Sequence, residues 1–501
     1  MTDRIALSKS TNGSFLPSWN SIRKVPIPPW YQDAKFGIMI HWGPYSVPGY
    51  SSFEMKYAEW YARNMYANPS VREHHINTYG KNFGYADFVP MFTALEWDPV
   101  DWADLFRKSG ARYVIPVAEH HDGFAMWDSE LTEWNAVKMG PKRDVIGELG
   151  KAVRERGMKY APSYHRERHY KYFRAGCGPH PAGMFPSIEG ELAKHPKRID
   201  LYGPFDLSSE FIAGYLARWD EIDRKYQPDF MWLDHCPSLH EDYPESEAYR
   251  QAFLRMITDY LNRAAKTGRE VYFNNKGRGG SVRLMSNFPE DVGIRGEDNL
   301  LRETIGPKWE NPATLGHSYG YSEMEDRSDA YRSSVSLIHE LIDVVSKNGN
   351  LLLNIGPRAD GTIPENQRRR LLAIGDWLEV NGESIYDTVP WIRPAEGDHL
   401  RFTVRNQVLY VHALEWPKGE VTVKSLAGFT KDDIRSVRLL GHGDVSWNIT
   451  PDGLIVDVPS EIANSPALVF RMNFQDPSAV KPKRASVCKG TADAATWRSE
   501  V

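Results

Sequence analysis

The chain has 501 residues, enough for one large domain and a smaller one, and its 41% apolar and 25% charged residues are those of a globular protein, not a disordered or fibrous one. A net charge of -5 gives no basic footprint of the kind a phosphate backbone demands, so nucleic acid is not an expected partner. Three scattered cysteines, Cys177, Cys236 and Cys488, show no CxxC spacing and suggest neither a disulfide framework nor a zinc knuckle.

Residues 1–28 read as an N-terminal extension. Their opening, MTDRIALSKS, lacks the charged start and apolar core of a secretory signal, and apolar runs of about 18 residues are absent. The expectation is therefore a soluble, cytoplasmic protein with no membrane partner; a mature form with its signal removed would read the same.

From 29 to 391, short apolar runs alternate with amphipathic stretches, the pattern of βα units around a parallel sheet. The runs are FGIMI (36–40), YVIPVA (113–118), MKYAPSY (158–164), DFMWL (229–233), VYFNN (271–275), VGIRG (292–296) and NLLLNIG (350–356). Between them lie helical stretches such as PVDWADLFRKSG and DVIGELGKAVRERG, several closed by a glycine: Gly110, Gly157, Gly268 and Gly349. About seven such repeats without a GxGxxG turn favour a barrel over a doubly wound sheet. From 392 to 475 the period drops to two, as in HLRFTVRNQVLYVHA and ALVFRMNF, which predicts a small antiparallel β-sandwich. Residues 476–501 read as a loose tail. The fold class is α/β, a (β/α)8-type barrel followed by a C-terminal antiparallel β-sandwich.

In such a barrel, chemistry gathers where the strands end, because side chains from many strands converge there on an open mouth. Six consecutive candidates end in polar or titratable groups: His41 after the first; Glu119, His120, His121 and Asp122 after the second; then Tyr164 and His165; Asp234 and His235; Asn274, Asn275 and Lys276; Glu297 and Asp298. A polar mouth the size of a sugar is the simplest explanation. Aromatic residues make up 12% of the chain and stack well on sugar rings, although large cores also use them. Simpler roles remain for each residue. Asp234 can be a helix N-cap, His120 and His121 can be loop residues or metal ligands, and Trp42, Trp60 and Trp232 can be core. Convergence of three or four ligands is not evident in the spacing, so no metal or other cofactor is expected.

Several stretches resemble the retaining α-L-fucosidases of glycoside hydrolase family 29: PPWYQDAKFGIMIHWGPYSVP, AEWYARNMY, ARYVIPVAEHHDGFAMWDS, WLD at 232–234, WENPATLGHSYGY, and VSKNGNLLLNIGPRADGTIPENQRRRLLAIGDWLEVNGESIY. The resemblance implies an irregular barrel with a β-sandwich behind it, and double displacement by two carboxyl groups. Asp234 matches the family's nucleophile. His41, Glu59, Trp60, His120 and His121 match its fucose-binding positions; Phe36 and Trp232 are candidates for an apolar wall against the sugar's methyl group. Tyr164, Lys276 and Trp309 complete the expected substrate-binding set. The acid/base precedes the pair Trp309–Glu310; Glu297 fits best, Glu303 is the reserve and Glu290 a third choice. Two departures stand out. NNKG puts Lys276 where the family has an arginine, losing the flat bidentate fork, and YAPSYHRERHY differs from the family's tyrosine-rich third strand end, so Tyr164 or His165 takes over recognition there.

The expected activity is release of terminal α-L-fucosyl residues from an oligosaccharide or glycoconjugate, with oligomerisation left open. The rivals are a related exo-glycosidase on a galacto-configured sugar, a fucose-binding barrel without turnover, and a metal-dependent hydrolase using His120 and His121, which alone would be chelator-sensitive.

Overall fold

The computed structural model describes residues 15–22, 24–52, 54–176, 188–234, 246–276, 293–294, 308–414, 419–460, 462 and 465–480. Ten short parallel strands make the first sheet: β1 (Phe36–Ile40), β2 (Tyr113–Glu119), β3 (Lys159–Tyr160), β4 (Ser163–Tyr164), β5 (Phe230–Leu233), β6 (Tyr272–Phe273), β7 (Asn275–Lys276), β8 (Gly293–Ile294), β9 (Trp309–Thr314) and β10 (Gly349–Ile355). Neighbours run β6-β5-β4-β2-β1-β10-β9-β8-β7, with β3 also on β2. β3 and β4 are two halves of one run, as are β6 and β7, so eight strand positions close into a ring.

Each break in the two split runs has a chemical cause. Pro162 between β3 and β4 has no N–H for the ladder. Between β6 and β7, the Asn274 side chain replaces the ladder: its Oδ1 accepts from Leu233 N at 2.6 Å and its Nδ2 donates to Leu233 O at 2.7 Å.

Helices pack outside the strands, among them α1 (Pro99–Lys108), α2 (Val145–Glu155), α3 (Ser209–Tyr226), α4 (Ser246–Lys266), α5 (Ser334–Ser346) and α6 (Glu365–Asn381). α1 is representative: Asp98 caps it by accepting from Val100 N and Asp101 N, Pro99 fits its first turn, and Trp102, Ala103, Leu105 and Phe106 form its buried stripe. The strands are buried on both faces, hence their continuous apolar runs.

The barrel interior holds a polar plug. Glu310 accepts from Tyr31 Oη (2.9 Å), Tyr113 Oη (2.6 Å) and Trp232 Nε1 (2.9 Å). Burial pushes its carboxyl above the usual range, against the three donors. Gly37 on β1 makes room for this plug: a Cβ there would sit 2.4 Å from the Tyr113 ring.

Beyond the barrel, β11 (Val389–Glu396), β12 (Leu400–Arg405), β13 (Val408–Ala413), β14 (Glu420–Val423), β15 (Ile434–Leu439), β16 (Gly443–Asp444), β17 (Trp447–Thr450), β18 (Gly453–Asp457) and β19 (Leu468–Phe474) form two antiparallel sheets, ordered β11-β12-β13-β19-β15-β16 and β14-β18-β17. Phe402, Val411, Leu454 and Phe470 lie in a core of their own between them. The architecture is thus a (β/α)8-type barrel followed by a β-sandwich. One barrel strand, Trp309–Thr314, was not among the predicted apolar runs: Glu310, Asn311 and Pro312 hide it, yet all six of its residues are buried. Among the described residues, no helix is long and apolar enough to cross a membrane.

Candidate active site

Five of the polar groups predicted at the strand ends, His41, His120, His121, His165 and Asp234, meet on one rim. His41 follows β1, and its Nδ1 lies 2.6 Å from Asn354 Oδ1 on β10. Asn354 Nδ2 donates to Tyr319 O at 2.7 Å, so its oxygen is the acceptor and His41 Nδ1 carries the proton. His120 and His121 follow β2; the His120 ring lies 5.7 Å from His41, 4.5 Å from His121 and 5.3 Å from His165. Burial, with the neighbouring imidazoles adding to it, holds His120 well below its ordinary value, so the ring is neutral. The Trp60 indole packs 5.3 Å from His121, and the buried Glu59 accepts from Gly320 N at 2.8 Å.

Asp234 closes the set. Its Oδ2 lies 3.3 Å from His121 Nε2 and 3.8 Å from His165 Nδ1. His121 Nδ1 donates to the His165 carbonyl at 2.6 Å. The Nε2–Oδ2 approach is therefore attractive only with a further proton between the two atoms, which ties the charge of the imidazole to that of the carboxyl. Burial lowers His121 from its ordinary value while Asp234 works against that fall. Asn274 clamps both backbone groups of Leu233, which fixes the peptide that leads into Asp234.

Below the rim, Glu119 anchors the segment that carries His165. Arg166 Nη1 lies 2.5 Å from one of its oxygens and Arg218 Nη1 3.1 Å from the other. Burial would raise this carboxyl, but Arg166 and then Arg218 overcome it and hold Glu119 below the usual range. His165 in turn stacks on Trp232 at 5.5 Å, whose N–H rests on Glu310.

Sequence reasoning passed over Glu167. Both its oxygens are buried without a hydrogen-bond partner among the described residues, and Oε1 lies 4.0 Å from His121 Nδ1 and 4.0 Å from Arg168 Nε. Burial, then the charge of Asp234, pushes it well above the usual carboxyl range. It lies only two positions past the polar end of the third predicted run, so the strand-end rule could have included it. Tyr45, 5.4 Å from His120, and Tyr319, 4.9 Å from His41, were missed because they come from loops outside the strand ends.

Other expected residues lie elsewhere. Tyr164 turns outward, its hydroxyl donating to Tyr215 O on α3; by strand alternation Ser163 and His165 take the inward side. Phe36 opens β1, five residues and roughly 16 Å before His41. Trp309 opens β9, its indole donating to Lys347 O. Trp232 lies inside the barrel under His165. Only the backbone of Lys276 is described, and Glu290, Glu297 and Glu303 lie outside the described residues. Among the described residues, two groups of potential metal ligands have ligand atoms within 4.8 Å of one another: His41, His120 and His165, and His121, His165 and Asp234.

The arrangement offers one carboxylate beside a cluster of buried imidazoles that accept or donate hydrogen bonds and of aromatic faces, suited to a polyhydroxylated ring. Comparison with known proteins points the same way. The family model "Alpha-L-fucosidase" matches residues 5–383, and that of the "Alpha-L-fucosidase C-terminal domain" matches 395–473. The chain is similar to an α-L-fucosidase of Dictyostelium discoideum, 32% identical over 458 residues covering 88% of this chain and 91% of that protein. It is also similar to human tissue α-L-fucosidase, 32% identical with 89% and 88% covered. Among solved structures, Thermotoga maritima α-fucosidase in complex with a mechanism-based inhibitor superposes with a TM-score of 0.72 at 33% identity, over 91% of this chain and 99% of that one.

Proposed function

Since the chain belongs to the α-L-fucosidase family and is a glycoside hydrolase, we propose that it releases terminal α-L-fucosyl residues by double displacement, with Asp234 as nucleophile and Glu297 as acid/base. Asp234 attacks the anomeric carbon while Glu297 protonates the departing oxygen; Glu297 then takes a proton from water, which opens the Asp234–sugar ester. His41, Glu59, Trp60, His120 and His121 hold the sugar's hydroxyls and ring. His165 belongs with this set in place of Tyr164, because it is the ring beside Asp234. Residues 29–391 carry this chemistry, and residues 392–475 form the supporting sandwich.

The observation that carries this reading is the Asp234 carboxylate on the rim, bonded by His121 and flanked by His165. A mechanism-based inhibitor bound to the Thermotoga relative is what a covalent route through a carboxylate would accommodate. Proton NMR during hydrolysis of an aryl α-L-fucoside tests the proposal: α-L-fucose forms first and then mutarotates. Initial release of the β anomer refutes double displacement. For the acid/base, Glu297→Ala loses rate mainly on poor leaving groups and recovers with azide; that signature in Glu303→Ala, with normal Glu297→Ala, moves the role to Glu303.

A further inference from the structure

We propose that His41, His120 and His165 form a binding site for a divalent transition-metal ion, zinc or copper, which occupies the proposed sugar site and excludes the sugar. The three imidazoles come from the ends of β1, β2 and β4, are all buried, and offer ligand nitrogens within 4.8 Å of one another. Zinc–nitrogen bonds of about 2.0–2.1 Å place tetrahedral ligands roughly 3.3 Å apart. Closing the triangle therefore asks each ring to move by an ångström or so, a torsional adjustment of side chains on a rim.

Two further features mark these rings as ligands. Metal-binding histidines have their second ring nitrogen held by a polar neighbour, which fixes the tautomer and the ring plane. His41 Nδ1 donates to Asn354 Oδ1 at 2.6 Å, and His165 Nε2 lies 2.9 Å from Ser163 Oγ. His120 Nδ1 is buried with no hydrogen-bond partner among the described residues, a cost that a ligand seated at this site can remove. Three imidazoles leave one position of a tetrahedron open. Asp234 shares His165 with this set through the second group of convergent ligand atoms, so an ion held here lies against the nucleophile and removes its charge from the reaction. Nitrogen ligands select against magnesium and calcium, which take oxygen.

Calorimetric titration of the chelator-treated full chain with zinc chloride at neutral pH tests the proposal. One zinc ion binds per chain, magnesium gives no heat of binding, and saturating L-fucose weakens the zinc isotherm. His165→Phe, which keeps a ring against Trp232, weakens zinc binding by more than about 100-fold, and Ser163→Ala, which removes only the support of that ring, by about 10-fold; thermal melts confirm that both are folded. Absence of zinc binding overturns the proposal, as does equally tight zinc binding by both variants, or fucose and zinc binding together without interference. A separate L-fucose titration without metal reports on the fucosidase reading alone: no fucose binding there counts against that reading, while the zinc affinities of the variants still decide this one.

Discussion

At the scale of single residues, the molecule tolerates several buried ionisable groups whose partners explain them, and others whose partners do not. Glu119 has two guanidiniums and Glu310 three donors. Lys35, by contrast, is fully buried at the foot of β1, where its ammonium meets the amine of a second buried lysine, Lys308, and forms no ion pair with a carboxylate among the described residues. Burial pulls its pKa from 10.5 down to about 8. The unfolded chain therefore binds this proton more tightly than the folded one, so between pH 8 and 10.5 the folded state gains stability as pH rises, and below 8 the full penalty is present. Lys35→Met removes that penalty: it stabilises the protein at pH 7 by about 3 kcal/mol, and the advantage shrinks towards pH 10. Urea unfolding at the two pH values measures both; an advantage unchanged by pH means that packing, not charge, sets the effect.

Elements decide which of these residues reach the mouth. The periodicity of 36–40, 113–118 and 350–356 was legible because buried parallel strands read as plain apolar runs, and His41 after the first and His120 and His121 after the second landed on the rim as barrel geometry requires. Parity was the weak point. In the third run Tyr164 and His165 are adjacent, and only the pairing of Ser163 with Trp232 determines which side chain faces inward. The strand at 309–314 was illegible for a different reason: Glu310 is a core residue only because Tyr31, Tyr113 and Trp232 are brought to it from three distant segments. Loop residues such as Tyr45 and Tyr319 have no periodic signal at all. The Asn274 clamp between neighbouring strands gives a test at this level. Asn274→Ala leaves the Leu233 N–H and C=O unsatisfied in the core, which costs about 2–3 kcal/mol, and it frees the peptide before Asp234, so kcat for an aryl fucoside falls more than KM rises. A variant that is destabilised but keeps its kcat shows that the clamp serves stability alone.

Across the whole molecule, the sandwich docks away from the mouth. Its contacts with the barrel gather around α5: Asp343 accepts from Lys347 at 2.7 Å and from Arg401 on β12 at 2.5 Å, and His339 Nε2 donates to Pro466 O at 2.8 Å. Lys347 stands two residues before β10, so this junction lies at the end of the barrel where the strands begin, a strand length from Asn354. Asp343→Ala strands two cations at the junction and lowers stability by about 3 kcal/mol, yet the kcat of the folded protein at 25 °C stays at its wild-type value; a loss of kcat shows that the sandwich communicates with the mouth. The chemistry assigned to the mouth stands or falls with Asp234. Asp234→Gly, assayed on an activated aryl α-L-fucoside, loses roughly 10³-fold or more in kcat, and added azide restores turnover by entering the space left by the carboxylate, giving β-L-fucosyl azide as product. A glycine variant that retains activity within tenfold of wild type, or an azide product of α configuration, contradicts the assignment.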